Sequence, residues 1–324
     1  FNVTFTSATG SPNDVILIQD TAAATATNRS HFTINASSRV SFQALTLRRT
    51  INPGAAGQGI FVFANPSTSG DVIGCNLIDV PQTNSTFNNG IIYRGSNGLI
   101  LNNNFSGFYY AVWLDGPASN TFAANNSVLT NNFTNNVYRS VYALNQSAAI
   151  ISSNQFTGYV TNSTGGCAVW TANNIGTEVS GNNIFGPMSG IGILINNPNM
   201  DTLNAANVNR VYNNVINGFQ APVITSTALV INPINVSGSF STTVLTPMNP
   251  RDAIEVINNT VVYNINTTST STTQAGLYFS GGTVTTPVWS RIVVRNNHLE
   301  VNPTVGNLPS AFRLYRFSDQ SQVD

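Results

Sequence analysis

Groups able to move protons or hold charge are scarce in this chain of 324 residues: nine aspartates, three glutamates, two histidines and twelve arginines, with no lysine. The absence of lysine removes any lysine base or Schiff base. Cys75 and Cys167 form neither a spaced framework nor a metal pattern. No closely spaced aspartate pair occurs, so no metal site and no cofactor are expected. The best constellation is Arg94 in GIIYRG, Asp115 in YAVWLDG and Asn145 in SVYALN. Aligning these runs puts the three at or within one residue of the same strand end on consecutive repeats. An aspartate within one rung of an arginine is held ionised, which suits a base or an electrostatic role; a surface salt bridge accounts for the same pair without function.

The same alignment yields a second group. If Val112, Val141 or Ala143, and Val169 point inward, then Trp113, Tyr142 and Trp170 point outward on three successive repeats. Their ring faces suit sugar rings or another protein's apolar surface. A one-residue error in register would turn all three inward.

These placements depend on elements that recur. A double asparagine with apolar flanks appears in LILNNNF (99–105), EVSGNNIF (178–185), RVYNNVI (210–216), EVINNTVV (255–262) and IVVRNNHL (292–299), with degenerate copies such as VIGCNLI (72–78) and IISSNQF (150–156). Each is followed by a second short run that often opens on a small residue, among them GIFVF, GIIYRG, GCAVW and GLYFS. Two strands per unit and about ten units account for nearly the whole chain, and such a period marks a repeat architecture. Apolar positions alternate with period two and turn residues punctuate them, so the chain is all-β. TAAATATN (21–28) is the one segment with any helical character.

Asparagine tolerates left-handed backbone at a corner, and its amide both donates and accepts. Stacked in register, asparagines of neighbouring rungs form hydrogen-bonded ladders. Asn182 and Asn183 are therefore expected to be corner and ladder residues. The repeat resembles that of the right-handed parallel β-helix, the pectin-lyase-like superfamily, over roughly residues 14–317. The resemblance implies a single-stranded right-handed parallel β-helix (β-solenoid) of about ten coils with asparagine ladders at its corners. Residues 1–324 read as one domain; the opening on Phe1 without a charged and apolar leader fits a segment of a longer or processed chain, and the repeat rhythm breaks at loop insertions near 197–207, 231–250 and 265–274. Rungs about 4.8 Å apart place Cys75 in the third coil and Cys167 in the sixth, too far apart for a disulfide. His31 and His298 lie about nine coils apart and cannot act together.

The superfamily includes polysaccharide lyases, hydrolases, uronan epimerases, phage tailspikes and noncatalytic surface proteins, so the fold does not choose among them. Neither a DPHE motif of the kind linked with uronan epimerases nor a GGxGxD calcium repeat is present. Charged residues are 7% of the chain and the net charge is zero, which disfavours nucleic-acid binding. No apolar run is long enough to span a membrane. FNVTFTS at the start and AFRLYRF near the end are strand-like and uncapped. Together these features favour a noncatalytic extracellular or cell-surface rod, adhesin-like and self-associating through terminal rungs or lateral faces. The alternative is a carbohydrate-active or tailspike-like protein that binds and cleaves a polysaccharide, using Arg94, Asp115 and Asn145 for catalysis and Trp113, Tyr142 and Trp170 for glycan contact.

Overall fold

The computed structural model describes residues 2–19, 30–35, 39–50, 59–66, 68–80, 88–117, 122–159, 166–188, 191–198, 208–220, 230–231, 233–238, 251–265, 273–281, 290–303, 310–315 and 322–323. Strands alone make up its regular structure, in three long sheets of eleven, ten and eleven members, each built by parallel pairing of one coil onto the next. The chain visits the three sheets in turn and returns one rung higher. With the right-handed crossovers of parallel β-structure, it forms a right-handed parallel β-helix of ten coils and the start of an eleventh. No helix among the described residues is long and apolar enough to cross a membrane.

One coil shows the pattern. Leu99–Leu101 lies in the first sheet, Asn104–Ser106 in the second and Tyr110–Asp115 in the third. Each asparagine-marked run is thus two strands, giving three per coil where two were expected from the sequence. The break is the corner residue, whose left-handed backbone swings the chain from one sheet to the next: Asn102 (φ 55°), Thr130 (52°), Ser153 (59°), Gly181 (59°), Asn213 (54°), Asn258 (55°) and Asn296 (53°). Short polar residues and glycine are the types that accept this conformation.

The residue after each corner points inward and builds the ladder. The backbone N–H and Nδ2 of Asn103 both donate to Oδ1 of Asn131, at 2.9 and 3.0 Å, and Nδ2 also donates to the Val72 carbonyl at 2.8 Å. The same contacts repeat through Asn154, Asn182, Asn214, Asn259 and Asn297. Asn182 is a ladder residue as expected, but its corner is Gly181, and Asn183 opens the second-sheet strand Asn183–Met188. A shorter ladder between the third and first sheets joins Asn126 to Gln146 at 2.8 Å, and Gln146 to Asn174 through its backbone N–H.

Inside the coil, side chains stack like on like. Phe105, Phe133 and Phe156 lie one above another with centroids 4.9 and 4.8 Å apart, near the spacing of the rungs. Cys75 and Cys167 sit in the third and sixth coils as buried free thiols. One expected insertion is corrected: within 231–250, Ile234–Gly238 is the third-sheet strand of its coil, paired with Ile193–Asn196 below and with Leu277–Gly281 above. The period-two run INVSG is what places it there. Val230–Ile231 lies off that strand and pairs Thr273–Gln274. TAAATATN and most of the insertions near 197–207 and 265–274 lie outside the described residues.

Candidate functional site

The outer face of the third sheet holds the candidate residues together. Trp113 aligns with Tyr142, and Tyr142 with Trp170, on three successive coils. Val112, Val141, Ala143 and Val169 are fully buried beneath them, so the three rings point outward. Ring centroids are 5.9 Å apart for Trp113 and Tyr142 and 5.6 Å for Tyr142 and Trp170, with Tyr110 stacked on Tyr142 at 5.7 Å. The rings are half-buried, and the indole nitrogens of Trp113 and Trp170 have no hydrogen-bond partner. Burial pushes the Tyr110 hydroxyl up to about 12, with the Arg139 charge opposing. It stays a neutral donor.

A local break in strand alternation, at the same place on successive coils and with the pairing register unchanged, gives this face its width. The N–H groups of Tyr109 and Tyr110 share the Asn88 carbonyl at 2.8 and 3.2 Å, and those of Ala168 and Val169 share the Gly192 carbonyl at 2.9 and 3.1 Å. Neighbours Ala111 and Val112, and Ala168 and Val169, all point inward. The residue before each pair is thereby returned to the outside, which strict alternation would not allow. That residue is Tyr110 in one coil and Cys167 two coils above; Arg139 aligns with both. Cys167 packs there with Ile191, Leu194 and Trp170, apart from the main core.

At the far end of these strands, Arg94 Nε donates to Asp115 Oδ2 at 3.0 Å across one rung. The pair borders an open hollow of about 280 Å³, lined also by Pro66, Pro117, Leu144 and Asn145. Gly116 admits the close approach of the next coil, since a Cβ there would lie 2.2 Å from the Asn145 carbonyl. Asp115 aligns with Leu144, so Asn145 stands one residue past the aligned end. It is a left-handed corner (φ 52°) whose Nδ2 donates to the Gly116 carbonyl at 3.4 Å. The hollow therefore offers one carboxylate and one guanidinium, already joined. Hydrolysis by paired carboxylates needs a second acid within about 10 Å, and among the described residues none lines the hollow. A carboxylate base beside a cation is the simpler chemistry the pair could support.

A second constellation, not among the candidates drawn from the sequence, lies on the first sheet. Glu178, Arg210 and Glu255 stand in one column of the first sheet, on three successive coils. Arg210 Nε donates to Glu255 at 2.7 Å, while Tyr212 and Ser180 each donate to Glu178 Oε1 at 2.6 Å. The signal was present: in EVSGNN, RVYNN and EVINN the charged residue holds the same repeat position. His31 and His298 belong to the first and tenth coils, and among the described residues no group of histidine, cysteine and acidic side chains is placed to hold a metal ion.

No protein-family model matches the chain, and no curated protein matches its sequence. Among solved structures it is similar to a mutant of the periplasmic alginate epimerase AlgG, at 13% identity and a TM-score of 0.37, over 88% of this chain and 74% of that one. It is also similar to a tailspike protein mutant of E. coli bacteriophage HK620 in complex with pentasaccharide, at 11% identity and a TM-score of 0.35, over all of this chain. The chain spans 60% of the tailspike's length. The architecture described above, a right-handed parallel β-helix, is that of the superfamily whose repeat the sequence resembles.

Proposed function

We propose that this protein is a noncatalytic extracellular or surface β-solenoid that binds a glycan along the outer face of its third sheet. The observation that carries the reading is the run of Trp113, Tyr142 and Trp170, outward on consecutive coils with centroids under 6 Å apart. A continuous half-exposed aromatic strip is costly to leave in water and suits the apolar faces of linked sugar rings. Among the described residues the adjacent hollow holds one carboxylate, already ion-paired, which supports binding over turnover.

Two of the three tryptophans of the chain lie in the strip, so saccharide titrations followed by tryptophan fluorescence read it directly. Trp113→Ala is expected to weaken saccharide binding by about tenfold, roughly 1.4 kcal/mol, with the circular dichroism of the fold unchanged. Product release by the wild-type chain that disappears in Asp115→Asn would replace this reading with the catalytic one. Self-association through the terminal rungs, the further part of the proposal, is tested by negative-stain microscopy over a concentration series. Rods that lengthen support it, and discrete particles that never lengthen overturn it.

A further inference from the structure

Four described arginines share one arrangement. Arg39 meets Asp71, Arg49 meets Asp79, Arg94 meets Asp115 and Arg210 meets Glu255, each acid being contributed by the next coil. Arg139 breaks the rule. Its aligned neighbours are Tyr110 below and Cys167 above, so no carboxylate stands where the others have one. No described carboxylate lies within ion-pair distance of it, yet it is only 6% exposed.

What surrounds the guanidinium is aromatic. Its Cζ lies 3.2 Å from the centroid of Trp170, 4.3 Å from Tyr138, 4.8 Å from Tyr142 and 5.5 Å from Tyr110. Nη2 donates to the Tyr138 hydroxyl at 2.8 Å, and Nε is buried without an acceptor. Ring faces attract a cation but accept few of the five hydrogen bonds that a guanidinium offers. A buried charge without a counter-ion is costly, and the rings return only part of that cost. The missing element is an oxyanion.

We infer that Arg139 is the anion-pairing residue of the aromatic face, and that the saccharide taken there carries a carboxylate or sulfate group that it holds while the rings take the sugar. This rests on the glycan-binding reading above and adds the ligand's charge to it. Planar bidentate pairing is what separates arginine from lysine at such a place.

The test compares one oligosaccharide with its carboxyl-reduced form and with a sulfated form, by tryptophan fluorescence at low and high salt. Wild-type protein is expected to favour the anionic forms by about tenfold at low salt. The preference falls to about onefold in Arg139→Gln, with neutral binding kept, and is partly retained in Arg139→Lys. Equal wild-type affinity for neutral and anionic forms, or an undiminished preference in Arg139→Gln, overturns the inference while leaving glycan binding in place. Inorganic sulfate separates the two ideas from the other side. If no saccharide binds but sulfate shifts the fluorescence of wild type and not of Arg139→Gln, the glycan reading falls and the anion site stands; no response to saccharide or sulfate removes both. Should Arg139→Gln fail to fold, the wild-type preference and the Arg139→Lys variant decide.

Discussion

A ladder asparagine uses its whole amide. In Asn154, Oδ1 accepts from the backbone N–H and Nδ2 of Asn131, while Nδ2 donates to the Val128 carbonyl and to Oδ1 of Asn182. All of this is buried, so Asn154→Ala strips partners from donors and acceptors that water cannot reach. Each such loss costs about 1–3 kcal/mol. Chemical denaturation should report a loss of roughly 3 kcal/mol in total, allowing for partial relaxation. Asn104, two residues past its corner, donates to Asn76 at 2.9 Å in the open. Asn104→Ala should cost less than about 0.5 kcal/mol. Equal losses in the two variants would refute the distinction between ladder and surface amides. The repeat of paired asparagines made the ladder legible before any coordinates. Which asparagine of a pair did which task was not, because in SGNN the glycine takes the corner, so that the first asparagine of the pair and not the second points inward.

At the scale of the element, strand alternation predicted the outward aromatic run but not Arg139. Alternation from Val141 and Ala143 assigns position 139 to the interior, and only the break in alternation at the head of the third-sheet strands puts it outside. The column Glu178–Arg210–Glu255 was readable from repeat position alone, once the units were aligned. Buried polar groups at the edge between the second and third sheets depended on packing that no local pattern encodes. Arg49, at the end of Thr46–Arg49, lies 3.2 Å from Asp79 and donates to the Asn89 carbonyl at 2.8 Å, with both side chains fully buried. Burial pushes the Asp79 carboxyl up to about 7, against the pull of Arg49, while burial and the Arg49 charge push His31 down to about 4. The raised carboxyl binds its proton more tightly folded than unfolded, so its contribution to stability grows as pH falls from about 7 toward 4. The lowered imidazole works the other way, its contribution fading as pH falls from 6.5 to about 4. The two slopes oppose each other in the native protein, and Asp79→Asn removes one of them. Its stability should therefore fall away from that of wild type as pH drops from 7 to 4, by at most about 1.4 kcal/mol per pH unit. Stability curves that run parallel over this range would show that Asp79 does not titrate there.

For the whole molecule, the ladders make cohesion uneven along the rod. In a solenoid each coil contacts only its neighbours, so stability is a sum of local terms and opening can begin where those are weakest. Seven ladder asparagines, Asn103 to Asn297, bind the fourth coil to the tenth. In the second and third coils the same inward position is held by Leu45 and Cys75, which bring no amide. The two thiols are placed to detect this gradient, Cys75 where the ladder begins and Cys167 well inside it. Burial pushes them up to about 11 and about 12, so neither is a thiolate at neutral pH and each reacts only when its coil opens. In sub-denaturing urea, a thiol reagent should modify Cys75 before Cys167, with a protection free energy lower by about 1–2 kcal/mol and a smaller urea dependence. The matched pair Cys75→Ala and Cys167→Ala assigns each rate to its residue. Identical protection and identical urea dependence at the two sites would mean that the rod opens as one cooperative unit, and that the core stacking of Phe42, Phe61 and Phe63 binds the lower coils as firmly as the amides bind the upper ones.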